Sequence, residues 1–160
     1  MASKPAALSA KTHRRLGSDL FNKTWTLMRK TGRTREEDDE MVHCAHASAY
    51  HWQQVGTRAH RARSEWQCSR VYTVLGLAEP ALRHARRCLE LVESAPQEME
   101  GWDLAAAYEA MARSHATAGD DGEARRYIDL GRAALAQIED EEDRAHIEAD
   151  LATVTSDRAG

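Results

Sequence analysis

The sequence predicts an all-α protein of about seven helices, arranged as antiparallel helical hairpins. Three observations carry this. Ala, Leu, Arg and Glu dominate the chain, and all are good helix formers; only Pro5, Pro80 and Pro96 interrupt them. Apolar residues recur at helical spacing, and sustained alternation of the kind a half-buried strand needs is rare. Gly32, Gly76 and Gly119 each separate two helical stretches, at intervals of 44 and 43 residues, which is the mark of a stacked repeat.

The first helix spans about Ser18 to Lys30, with Ser18 as N-cap and an apolar stripe of Leu20, Phe21, Trp25 and Met28. Residues 1–15 before it read as a mildly basic flexible arm. Thr34 and Glu37 form a capping-box pattern that opens the second helix, and Glu36 to Glu40 place negative charge where the helix dipole favours it. That helix continues to Val55, where Gly56-Thr57 breaks it. A third runs from about Arg58 to Leu75, with Cys68, Val71, Tyr72 and Leu75 on one face. Pro80 falls in the first turn of the fourth, where a missing N–H costs little, and Ser94-Ala95-Pro96 ends it. The fifth spans about Trp102 to Ala118. The sixth carries Ala124, Ile128, Gly131, Leu135 and Ile138. The seventh, from Glu141 to Val154, caps the stack, and residues 156–160 fray. The domain thus covers 16–155.

A chain of 160 residues suits one domain. Hydrophobic and charged fractions of 42% and 30% fit a folded, soluble chain. Arg58, Arg61, Arg63 and the pair Arg86-Arg87 could touch nucleic acid, but a net charge of -4 and the lack of an aromatic stacking platform argue against such a partner. Cys44, Cys68 and Cys88 are odd in number and lie in no CxxC, so no disulfide framework is expected and a reducing cytoplasm is the natural compartment. No apolar run approaches the roughly 20 residues of a membrane helix, and the first residues lack the apolar stretch of a secretory signal. There is no glycine-rich phosphate loop.

Ala81 and Ala124 each follow a loop glycine by five residues, and Tyr72 precedes Gly76 by four, a place taken by His115 before Gly119. In these positions residues 17–154 resemble the tetratricopeptide family. Two departures stand beside the likeness: Glu37 occupies the alanine position of the first unit, and the period exceeds the family's 34 residues. Segments such as EMVHCAHASAYHW and EWQCSRVY also resemble small bacterial helical proteins of unassigned activity. The family resemblance implies a short right-handed solenoid in which the first helix of each hairpin lines a concave groove. Groove positions would then be Asn22, Lys23, Thr26 and Lys30, then Trp66, Gln67 and Arg70, then Glu109 and Arg113. Such a polar, partly basic groove suits an acidic peptide or a carboxylate ligand.

A second group of candidates lies in HCAHASAYHW. Asp39, His43, His46 and Tyr50 share one stripe of the second helix, and two imidazoles at i, i+3 with a carboxylate can hold a divalent metal. His51 sits at the margin of the core stripe, where Glu65 or His84 is expected to face it. Buried ionisable groups need partners, so these three form either a structural network or a small-molecule pocket. Cys44, on an apolar stripe, reads as a small hydrophobe rather than a nucleophile. The leading expectation is therefore a cytoplasmic binding or adaptor module for a protein or peptide partner, with no resident cofactor. The alternative is a small enzyme or sensor built on the His/Glu pocket, with a divalent metal or small molecule bound. No membrane or nucleic-acid partner is expected, and self-association is left open.

Overall fold

The computed structural model describes residues 7–156, and side chains as far as Val154. The described residues form seven α-helices and one short 3-10 turn, with no strand. They are α1 Ala10–Arg29, α2 Arg35–Val55, α3 Arg58–Val74, α4 Ala78–Ser94, α5 Asp103–Ala118, α6 Asp121–Leu135 and α7 Glu141–Ser156. Residues 1–6 of the expected arm and 157–160 of the expected frayed end lie outside the described residues.

The helices pair as three hairpins, α1–α2, α3–α4 and α5–α6. Successive hairpins meet through α2–α3, α4–α5 and α3–α5, and α7 packs on α5 and α6. Among the described residues no helix is long and apolar enough to cross a membrane.

The first helix begins at Ala10, eight residues before the expected start. Ser9, not Ser18, is its N-cap, accepting from the Thr12 amide at 3.1 Å. The pair Gly17-Ser18 resembles a break but lies inside the helix. Gly17 is there because Trp52 of α2 packs against its backbone: a Cβ at this position would sit 2.9 Å from the indole ring. Ser48 then reaches across to the Gly17 carbonyl at 2.7 Å. The capping box of α2 forms as expected, with Glu37 accepting from the Thr34 amide and Thr34 from the Glu37 amide.

The repeat is visible in the turns. Gly76 and Gly119 adopt φ of 72° and 83°, the left-handed conformation glycine enters without steric cost. Each closes the same C-terminal motif. The amides of Gly76 and Leu77 donate to Thr73 and Tyr72, and those of Gly119 and Asp120 donate to Ala116 and His115. The first hairpin solves the problem differently. Gly32 is also left-handed, but the Arg33 guanidinium caps α1, donating to the carbonyls of Lys30 and Met28 at 2.8 and 3.2 Å. It is held there by Asp38 at 2.6 Å.

Alanines and cysteines fill much of the space between helices. Ala81, Ala85 and Cys88 of α4 are fully buried, as are Ala105, Ala107 and Ala112 of α5. Small side chains here let helix axes approach at the short end of the usual 8–10 Å range. Larger residues finish the interior: Met41, Val71, Leu91, Met111, Ile128 and Leu151 are all buried.

Candidate functional site

Four of the expected groove residues converge, and they converge on one another. Glu109 of α5 is 1% exposed. Its Oε1 accepts from Arg70 of α3 at 2.8 Å and from Nε of Arg113 at 2.6 Å, and its Oε2 accepts from the Trp66 indole at 3.3 Å. A buried carboxylate is tolerable only with such company. Arg113 extends the network to α7, donating to the Asp150 carbonyl at 2.9 Å and the Thr153 hydroxyl at 2.7 Å. Arg70 lies 3.8 Å from the Asp150 carboxylate, whose pKa is raised by burial and by the nearby Glu109 charge. Beside this network a cleft of about 320 Å³ opens between α3, α5 and α7, edged by Arg70, Thr73, Val74, Arg113, Thr117 and Val154. Its two guanidiniums face Glu109 and Asp150, so the floor carries little net charge.

The first-unit groove positions fall elsewhere. Lys23 and Lys30 turn to the α1–α2 seam and pair with Glu40 and Glu37. Gln67 is buried against α1, donating to the Phe21 carbonyl at 3.0 Å. Trp25 of α1 also meets α3, with its ring 5.5 Å from that of Trp66.

The histidines separate into two groups. His51 faces neither Glu65 nor His84; its Nδ1 lies 2.9 Å from Nδ1 of His13 on α1. The expectation failed because it began α1 too late to include His13. Glu65 and His84 do meet, with the carboxylate 2.6 Å from Nδ1. Tyr72 stacks on His84 at 5.6 Å and 9°, and its hydroxyl bonds Nε2 of His46 at 2.9 Å. Desolvation of the His46 ring, together with the adjacent His84, lowers its pKa. The Asp39, His43 and His46 set is not assembled. His46 is engaged by Tyr72, and among the described residues no group of three or more His, Cys, Asp or Glu is placed to hold a metal. The three cysteines are buried and free. Burial raises the thiol pKa of Cys44 and pushes that of Cys68 up to about 12, so neither is primed as a nucleophile.

The Glu65–His84 pair stands between two clefts on the face formed by α2, α3 and α4. One, of about 320 Å³, is lined by residues that include His46, Tyr50, Arg61, Glu65 and Arg87. The other, of about 450 Å³, is lined by Glu65, Arg83, His84, Arg86, Arg87 and Glu90. Glu65 is engaged by His84 and Glu90 by Arg87. Arg83 and Arg86 are exposed, and neither meets a carboxylate among the described residues. Sequence reasoning had the Arg86-Arg87 pair but weighed it only for nucleic acid. Its signal was the i, i+3 and i+4 placement of Arg83, Arg86 and Arg87 on one helix.

Comparison of the chain with family models, with curated proteins and with solved structures gave no match.

Proposed function

We propose that the protein is a helical-repeat binding module for an acidic ligand, peptide or small molecule, and that the ligand docks on the α2–α3–α4 face. The observation that carries this reading is the unmatched positive charge of Arg83 and Arg86 at the mouth of the 450 Å³ cleft. The side between α3, α5 and α7 offers a cleft too, but there Arg70 and Arg113 are already matched by Glu109 and Asp150. An acidic ligand would have to compete with two internal carboxylates on that side. On the α4 side it would meet guanidiniums that retain their donors, and planar guanidinium suits carboxylate recognition.

The second reading, a small sensor or enzyme, rests on the 2.6 Å contact of Glu65 with His84. A carboxylate on Nδ1 fixes the tautomer and leaves Nε2 as the proton acceptor, which is how acid–base histidines are oriented. Native mass spectrometry of the wild type and of His84→Gln separates the two: a retained small molecule that is lost on His84→Gln but kept on Arg83→Glu with Arg86→Glu favours the pocket.

The direct test is fluorescence anisotropy with a labelled oligoglutamate peptide. Arg83→Glu with Arg86→Glu is expected to weaken binding at least tenfold, and added salt should weaken the wild type in the same direction. Equal binding by wild type and double variant would overturn the proposal, as would no binding by the wild type at low salt.

A further inference from the structure

His13 and His51 line neither cleft of the α2–α3–α4 face and are used by neither reading above. His13 stands in the first turn of α1 and His51 near the end of α2. Their Nδ1 atoms are 2.9 Å apart, with ring centroids 5.0 Å apart and planes inclined at 55°. Both are half-buried, so water reaches them. Tyr50, 56% exposed, flanks the pair.

We propose that His13 and His51 form a two-histidine site for a divalent transition metal of the copper or nickel type, which binds both Nδ1 atoms and clasps the start of α1 to the end of α2. The distance is that of an N–H···N hydrogen bond, and it also matches one metal geometry. Two metal–nitrogen bonds of about 2.05 Å at a right angle put their nitrogens about 2.9 Å apart, whereas a tetrahedral angle needs about 3.3 Å. The pair therefore suits the square-planar preference of Cu(II) or Ni(II) better than structural zinc, and imidazole nitrogen is a good donor for both. The protein supplies two ligands, and water fills the remaining positions. Without metal the same contact is a hydrogen bond in which one ring donates its Nδ1 proton and the other accepts on a bare Nδ1. The other close histidine pair, His46 and His84, has nitrogens already engaged by Tyr72 and Glu65.

The experiment titrates Cu(II) into the purified full chain at neutral pH and follows the melting temperature and the electron paramagnetic resonance spectrum. Cu(II) should raise the melting temperature and give nitrogen hyperfine structure from two imidazoles. His13→Gln and His51→Gln should each weaken binding at least tenfold and abolish the rise, while His43→Gln leaves both unchanged. A melting temperature that Cu(II) does not raise overturns the proposal, and so does either variant binding as tightly as the wild type. Should a variant fail to fold, the unaltered chain still decides: coupling to two imidazoles supports the site, and coupling to one or none rejects it.

Discussion

Tyr72 lies flat on His84, and 43 residues later His115 lies flat on Tyr127 in the same way. The ring separations are both 5.6 Å and the interplanar angles 9° and 11°. The two residue types have exchanged places between the first and second helices of the hairpin. Arg70 and Arg113 are another equivalent pair, and both donate to Oε1 of Glu109. The repeat thus preserves contact geometry while it permutes chemistry. A double-mutant cycle of Tyr72→Ala with His84→Ala should give a coupling of about 0.5–1.5 kcal/mol, the scale of a packed aromatic pair. Additive losses in urea unfolding would show that the stack contributes nothing of its own.

Glu109→Gln should be the most damaging conservative change in the chain. It keeps shape but leaves Arg70 and Arg113 facing a neutral amide, with Arg113 only 7% exposed. Breaking a buried ion pair costs about 3–5 kcal/mol, or about 10 °C in melting temperature for a domain of this size. Differential scanning calorimetry checks it. A loss below about 1 kcal/mol would mean that water enters the network freely.

The helices, their hairpin pairing and two of the three turns were legible because glycine, capping and apolar period each leave a local mark. Thr34 and Glu37 state the start of α2 outright. The candidate site was less legible, since side-chain pairing across helices has no local code. Trp66 and Arg70 stand on α3 and Glu109 and Arg113 on α5, yet nothing in their spacing says that they face each other rather than a ligand. Lys23 and Lys30 illustrate the converse: long flexible side chains reached sideways to Glu40 and Glu37.

Stability should fall as pH drops below about 6.5. His46, His51 and His60 all have folded-state pKa values lowered chiefly by burial. Their unfolded forms titrate near 6.5. Below that pH the unfolded chain binds more protons than the native one, so unfolding is favoured; above it the contribution is fully present. Asp150, raised by burial, acts in a lower window and with the opposite sign, its native form holding a proton where the unfolded form has lost it. Urea melts at pH 7.5, 6.5 and 5.5 read the histidine effect. A midpoint constant over that range would contradict the assignment.

Gly17→Ala should destabilise the fold although alanine is the better helix residue. Two effects oppose each other. Replacing glycine within a helix gains roughly 1 kcal/mol from backbone propensity. Against it, the added Cβ would meet Cε2 and Nε1 of Trp52 at 2.9 Å, and a rigid indole cannot fold away as a flexible chain end does. Moving the ring would also strain the Ser48 bond to the Gly17 carbonyl and the stack of Trp52 on His60, whose centroids are 4.3 Å apart. Overpacking of this kind costs about 1–3 kcal/mol, so a net loss of about 1 kcal/mol is expected. Gly131→Ala is the matched comparison. Its Cβ would meet Cδ2 of Leu151 at 2.9 Å, a methyl that can rotate by changing rotamer, so its net effect should lie closer to zero. Thermal melts of the two variants, side by side, test the ordering. Gly17→Ala melting at or above the wild type would show that the α1–α2 seam yields around Trp52, and the close packing at Gly17 would lose its claim to explain why a glycine stands inside α1.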